Sequence, residues 1–325
     1  MKMKAKTKTI GLVATSWLLL AADSSFAASY SITIDDPNLD PTPRHSPAMR
    51  DKLILQVLEG AHAKVVLFVC GMRVTNEKGT ALSKEGTALL KAWDRRGHWI
   101  ANHTFSHLDY HATEFDDFST DVLKVEPLLK DFSNFRRYFR FPFLREGDTL
   151  EKRDQMRAFL KTHGYSHGYV TISTSDWYID QRMIDRLKKK TSTDVGFYRD
   201  IYLKHVLENA LYYDELAQEV FGKQIHHTLL IHHNLLNALF LGDLIAMFRN
   251  KGWRLVDPSV AFKKDGVFQL EPDTVPAGEG FLLAAAKAKE NFVTELRYPA
   301  ADTAYLKDEI DAMELYIDGS AEKSR

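Results

Sequence analysis

A chain of 325 residues that is 45% hydrophobic and 27% charged, with a formal net charge of −1, has the balance of an ordinary globular protein and the length for a large buried core. No long basic or acidic block runs along it, which argues against nucleic acid as a partner; the short run Lys188-Lys189-Lys190 suits a solvated helix end. One cysteine, Cys70, excludes an internal disulfide, and its place at the end of an apolar run suits a buried thiol.

Lys2, Lys4, Lys6 and Lys8 precede an apolar stretch from Ile10 to Ala22, and Ser25-Phe26-Ala27 offers small residues at the −3 and −1 positions. This pattern predicts a secretory signal cleaved after Ala27. The apolar run is short and meets Asp23, which disfavours a membrane span; an uncleaved anchor is the alternative. Cleavage removes four Lys and one Asp and takes the net charge from −1 to −4. The expected location is secreted or periplasmic, with no stable membrane span after cleavage.

Tyr30 to Ile34 reads as a first strand, ending in Asp35-Asp36-Pro37-Asn38. Ser46-Pro47 predicts an N-cap followed by a first-turn proline, Met49, Leu53, Val57 and Leu58 keep helical spacing, and Gly60 ends that helix. Lys64 to Val69 is a second strand. A helix with Leu89, Leu90 and Trp93 stops at Gly97. His98 to Ala101 is a third strand and runs into Asn102-His103-Thr104-Phe105-Ser106-His107. Thr113 is expected to cap a helix carrying Phe115, Phe118, Val122, Val125 and Leu129, kinked at Pro127. Arg137 to Phe141 is a fourth strand. A helix from about Asp148 ends at Gly164, and His167 to Ile172 is a fifth strand leading to Ser175-Asp176-Trp177. A long helix spans roughly Tyr198 to Phe221. Thr228 to Ile231 is a sixth strand, ending in His232-His233-Asn234. A helix with Leu236, Leu239, Phe240, Leu244 and Met247 and a short seventh strand, Trp253 to Val256, complete the pattern. Short apolar strands alternating with helices predict an α/β fold, a distorted seven-stranded parallel (β/α) barrel. The expected organisation is a signal peptide over 1–27, a barrel over 28–265, and a C-terminal helical extension over 266–325. The extension includes a helix near Phe281 to Lys289 and packs on the outside.

Two histidines at i and i+4, His103 and His107, can point the same way from one helical turn and grip one metal ion. In parallel barrels the chemistry gathers on the loops after the strand C-termini. That rule brings Asp35 and Asp36, the histidine pair, Arg140, Asp176 with Trp177, and His232 to one rim. One aspartate with the two histidines makes three ligands, the count for a hydrolytic metal with an open position. Such a set suits Zn²⁺ without excluding other divalent metals. The other aspartate is left as a general base, His232 as a general acid oriented by Asp176, and Arg140 as a partner that keeps the base ionised. Each has a plainer reading: Asp35 to Asn38 as a turn, Arg140 as a surface charge, Asp176 as a helix cap, Trp177 as core. His226 and His227 precede the sixth strand and belong at the opposite end. His232 and His233 alternate faces, so only one is expected in the site.

In order and context these residues resemble the polysaccharide deacetylases, the NodB-like carbohydrate esterase family four. Thr33-Ile34-Asp35-Asp36, His103 to His107, Arg140-Phe141-Pro142-Phe143, Asp176-Trp177 and Leu230-Ile231-His232 match that family's five motifs, over about residues 30 to 260. The resemblance implies a metal-dependent amide hydrolase acting on an N-acetylated glycan. The metal would be Zn²⁺, with Co²⁺ or Ni²⁺ as alternatives. By motif, Asp35 is the base, Asp36, His103 and His107 hold the metal, Arg140 orients Asp35, and Asp176 supports the acid His232. Trp177 and Leu230 would line a pocket for the acetyl methyl, and Phe143 would face substrate. The chain departs from the pattern at Pro37-Asn38, where the family has Gly-Pro, in the loop Leu144 to Asp148, and at His233. A hydrolase of non-sugar amides and a non-catalytic glycan-binding protein are the alternatives.

Overall fold

The computed structural model describes residues 28–189, 194–263, 271–289, 293–297 and 302–323. The segment read as a secretory signal lies outside the described residues. Seven strands form one sheet: β1 (Ser29–Asp35), β2 (Val66–Val69), β3 (Trp99–Asn102), β4 (Phe135–Phe139), β5 (Ser166–His167), β6 (His226–His232) and β7 (Arg254–Leu255). The helices between and beyond them are α1 (Pro47–Gly60), α2 (Lys84–Asp94), α3 (Phe115–Leu123), α4 (Glu126–Leu129), α5 (Leu150–Thr162), α6 (Asp176–Lys189), α7 (Gly196–Phe221), α8 (Leu235–Asn250), α9 (Pro258–Ala261), α10 (Phe281–Lys287) and α11 (Thr303–Lys323).

The main order is β5-β4-β3-β2-β1-β6, with all pairings parallel. β1 and β2 are buried along their whole length, so both sheet faces are covered, as a parallel sheet requires. Ser29 and Tyr30 pair with both β6 and β7, so β7 takes the edge of β1 that β2 takes farther along. The sheet curls into a half-barrel ringed by helices, the distorted (β/α) barrel expected from the alternation.

The distortion has a local cause. β5 is only two residues long instead of the strand expected through Ile172. Gly168 then lies so close to the Phe68 ring that a Cβ would sit 2.4 Å from it. By Thr171 and Ile172 the chain has crossed to the other sheet edge, where Ile172 bridges Leu229 and accepts from the Leu230 amide at 3.0 Å.

Other boundaries moved for identifiable reasons. Ser46 caps α1 through the Met49 amide, with Pro47 in the first turn, as expected. The helix expected from Thr113 to Leu129 is two helices. Pro127 has no N–H to donate and sits in the first turn of α4 rather than kinking one continuous rod. Thr113 caps neither; its hydroxyl donates to the Asp109 carbonyl. β4 lies two residues earlier than expected, which puts Arg140 just beyond its end. His226 and His227 belong to β6, at the end away from Asp35.

The main core fills the space between the sheet and α1, α2, α6, α7 and α8. A smaller aromatic cluster, including Tyr110, Phe118, Phe139, Phe141 and Tyr165, lies under α3 and α5. Beyond the barrel, Phe281, Leu282 and Leu283 of α10 are buried, and the Phe281 amide donates to Val170. The helix α11, in the extension expected to be helical although no helix was placed there, is held on α6 and α7 by Arg182–Asp311, Arg186–Asp318 and Lys204–Glu309 ion pairs. Among the described residues no helix is long and apolar enough to cross a membrane.

Candidate active site

Asp35 closes β1 and pairs in register with His232 at the end of β6. Its carboxylate is 2% exposed, and its Oδ1 accepts from Arg140 Nη1 at 2.5 Å. The same Nη1 reaches Thr33 Oγ1 at 2.9 Å, Nε donates to the Gly168 carbonyl at 2.8 Å, and the guanidinium lies 3.9 Å over the Phe68 ring. Arg140 is thus a buried partner of Asp35, not a surface charge. Burial still pushes the Asp35 carboxyl up to about 6, against the pull of Arg140 and His232.

Asp36, His103 and His107 each present a ligand atom, and these atoms all lie within 4.8 Å of one another. His103 Nδ1 is 2.8 Å from the Arg140 carbonyl, which can only accept, so Nδ1 carries the proton and Nε2 is bare. That bare nitrogen faces Asp35 Oδ2 at 3.6 Å, and His107 Nε2 faces Asp36 Oδ2 at 3.5 Å. Burial pulls both imidazoles down to about 4, so they are neutral near pH 7 and form no ion pair with these carboxylates. Carboxylate oxygens and neutral imidazole nitrogens therefore converge, the donor set that a divalent cation fits. Arg73, which the sequence reading missed, lies against the rim of this set, with Nε 3.3 Å from Asp36 Oδ1.

The histidine pair does not ride on a helical turn. It lies in a loop in which Thr104 and His107 have left-handed φ of 64° and 56°. Of six non-glycine residues with such φ among the described residues, four (Asp36, His107, Phe143 and Leu144) line the cleft at this rim, and a fifth, Thr104, lies buried within the histidine loop. Conformations of this kind cost on the order of 1–3 kcal/mol each and persist where neighbours hold them. Here Asn102 Oδ1 accepts from Thr104, and Thr104 Oγ1 accepts from the His107 amide. Asp121 accepts from the Phe105 and Ser106 amides at 3.0 and 2.8 Å. No spacing in the sequence pointed to Asn102 or Asp121, because both act through the fold.

Across the cleft, His232 Nδ1 meets Asp176 Oδ1 at 2.7 Å. The other carboxylate oxygen accepts from the His232 amide, Asn234 Nδ2 and Asn237 Nδ2 at 2.8, 3.0 and 2.8 Å. Asp176 starts α6, yet its carboxylate is spent on β6 and α8 rather than on capping its own helix. Burial would lower the His232 pKa, but the buried Asp176 carboxylate overrides it and raises it to about 9. His233 points the other way, toward Asp51 at 3.4 Å and the Trp93 ring.

These groups line a cleft of about 670 Å³ whose mouth carries Phe143 and Trp177, each half exposed, with Leu230 deeper inside. The Phe143 ring packs edge-on against His107 at 4.7 Å. Ala277, Gly278 and Thr303 also line the cleft. The extension expected only on the outside is therefore one of its walls, tied in by an Arg145–Ala277 bridge and by the Glu146 amide donating to Pro276. Arg145 also pairs with Asp109, just beyond the histidine loop, at 2.5 Å.

A parallel half-barrel carries a buried Asp–Arg couple, an Asp–His–His set and an opposed His–Asp couple at its C-terminal rim, the arrangement expected from the resemblance to the NodB-like polysaccharide deacetylases. Residues 28–168 match the family model described as polysaccharide deacetylase, which covers less than half of the chain. No curated protein matches the chain. Among solved structures it is similar to the Bc1960 peptidoglycan N-acetylglucosamine deacetylase, at 18% identity over 74% of this chain and 94% of that one, with a TM-score of 0.48. It is similar to a chitin deacetylase from Colletotrichum lindemuthianum, at 14% identity over 73% and 88%, with a TM-score of 0.49. A mutant of BA3943, a pseudoenzyme of carbohydrate esterase family four, gives 16% identity over 73% and 68%, with a TM-score of 0.49. The likeness to the family rests on the matched segment and its motifs, not on these overlays.

Proposed function

We propose that this chain is a secreted, metal-dependent deacetylase that hydrolyses N-acetyl groups of an amino-sugar polysaccharide, such as peptidoglycan, a chitin oligomer or an exopolysaccharide. The observation that carries the reading is the meeting of Asp36, His103 and His107 ligand atoms within 4.8 Å, beside Asp35 and in the same cleft as His232. Asp36, His103 and His107 would hold the metal, with Zn²⁺ favoured by the mixed nitrogen and oxygen set. When bound, a divalent cation there supplies Lewis acidity, lowering the pKa of water and polarising an acyl oxygen.

The remaining work falls to the chain's own side chains. Arg140 occupies Asp35 Oδ1 and leaves Oδ2 facing the ligand set, where Asp35 takes a proton from the attacking water. His232 spends Nδ1–H on Asp176 and keeps Nε2–H for the leaving amine, which departs badly without a proton. The two groups are pulled apart as an acid–base pair requires: Asp35 up only to about 6, His232 to about 9. Trp177, Phe143 and Leu230 give apolar surface for a sugar face and an acetyl methyl. Secretion rests on the charged, apolar and small-residue pattern of residues 1–27.

The test is acetate release by the Zn²⁺-reconstituted protein across N-acetylglucosamine oligomers, peptidoglycan fragments and non-sugar N-acetyl amides. Release from the glycans is expected. Release only from the non-sugar amides, or glycan binding without acetate, overturns the proposal.

A further inference from the structure

Behind the cleft, Arg50 of α1 is 1% exposed, deeper than the helix position of a charged residue ordinarily allows. Its hydrogen bonds converge on the loop that follows Asp36. Nη2 donates to the Asn38 carbonyl and to Asn38 Oδ1, both at 2.7 Å, and Nη1 donates to the Asp40 carbonyl at 2.8 Å. Asp40, Asp51 and Asp180 supply the surrounding negative charge. Removing a guanidinium from water costs several kcal/mol unless its donors are satisfied and its charge is offset, so its position has a structural cause.

The chain of bonds continues toward the site. With Oδ1 fixed by Arg50, the Asn38 amide group is oriented and its Nδ2 donates to the Asp36 carbonyl at 3.1 Å and to the His233 carbonyl at 3.3 Å. Asp36 is held at a left-handed φ of 58°, uncommon outside glycine although easier for aspartate than for most residues, so its backbone position gains from support. The His233 amide in turn donates to the Asp35 carbonyl at 2.9 Å. One buried arginine, through one asparagine, therefore ties the backbone of Asp36 to the backbone that follows His232.

We propose that Arg50 and Asn38 form a clamp that positions Asp36 as a metal ligand, with Arg50 a positioning residue acting through Asn38. The inference rests on the metal-site reading given above. Neither side chain touches a ligand atom; Asn38 bonds Asp36 only through its backbone, so the clamp acts by holding the Asp36 carboxylate at the distance and angle the two imidazoles require. Outer-shell partners of this kind are worth about 10–100-fold in metal affinity.

The test is Zn²⁺ titration of the purified full chain against a chelating dye, with the visible absorption of the Co²⁺-loaded protein as a report on ligand geometry. Asn38→Ala and Arg50→Met are each expected to weaken Zn²⁺ binding by about 10-fold or more and to change the Co²⁺ band, with a native far-ultraviolet spectrum. The double variant is expected to be no weaker than the worse single one, since both break the same chain. Should Arg50→Met fail to fold, Asn38→Ala, in which the buried guanidinium keeps its backbone acceptors, decides the matter. A folded Asn38→Ala protein with wild-type Zn²⁺ affinity and an unchanged Co²⁺ spectrum overturns the clamp while leaving the metal site standing. A wild-type chain that binds neither metal overturns both.

Discussion

Arg140 Nη1 and Asp35 Oδ1 meet at 2.5 Å with both side chains almost wholly out of water. The pair reaches across the rim, from the end of β1 to the residue just beyond β4, and its geometry leaves one carboxylate oxygen, Oδ2, toward the cleft. A buried pair of this sort is costly to break, because the survivor stays charged and unpaired. Arg140→Met is expected to destabilise the fold by about 3–5 kcal/mol at neutral pH, read by urea unfolding. With the burial effect then unopposed by Arg140, the Asp35 carboxyl rises further and the acidic limb of the rate profile moves to higher pH. An unmoved limb in a folded variant argues against Asp35 as the base.

The Asp176–His232 couple sets the opposite limb. The His232 pKa is raised to about 9, so it carries its proton at neutral pH and loses it as pH rises through that value. Its contribution to stability has the same sign: fully present below the unfolded histidine value of about 6.5 and lost as pH rises through the folded one. Asp176→Asn removes the charge that raises the value. The basic limb of kcat/KM and the His232 resonance in an NMR titration are both expected to move to lower pH. Movement of neither would separate His232 from the acid role.

The two aspartates are predicted to fail differently. Asp36→Ala or His103→Ala abolishes Zn²⁺ binding and acetate release together. Asp35→Asn keeps the metal and loses about 10²–10⁴-fold in kcat, the range for losing a positioned base. Metal content by elemental analysis, measured beside turnover, checks the contrast; full activity of Asp35→Asn would reverse the division of roles.

Gly278 has a φ of 110°, and a Cβ there would lie 3.4 Å from the Phe143 carbonyl. Gly278→Ala is expected to cost about 1–3 kcal/mol by thermal unfolding, through backbone strain alone. Because Phe143 packs on His107 and forms part of the cleft mouth, KM for glycan oligomers should rise more than kcat falls. An unchanged KM would mean that the C-terminal wall does not touch bound substrate.

Much of the site was legible before any coordinates. Paired acids after one strand, a His-x-x-x-His after another, and Arg, Asp-Trp and His at three more strand ends can be read from alternation and the strand-end rule alone. That only one of His232 and His233 enters the site was legible as well, because neighbours in a strand face opposite ways; which one came from the motif resemblance. The residues that hold the site were not. Asn102, Asp121 and Arg50 bond backbone of other segments, and Arg145 pairs with the Asp109 side chain; no local period marks such partners. The bounds of helix α11 within the expected helical extension were not legible either.

The sequence by itself determined the half-barrel, its parallel order of elements, and the set of side chains delivered to the rim. Those follow from local hydrophobic period and turn chemistry, which need no partner. Tertiary structure alone decided the rest. It set Arg140 inward against Asp35, made the histidine loop left-handed rather than helical, shortened β5 at Gly168, and folded the C-terminal segment into the cleft wall. Each of these depends on desolvation and contact between residues distant in the chain, and those quantities exist only once the chain is packed.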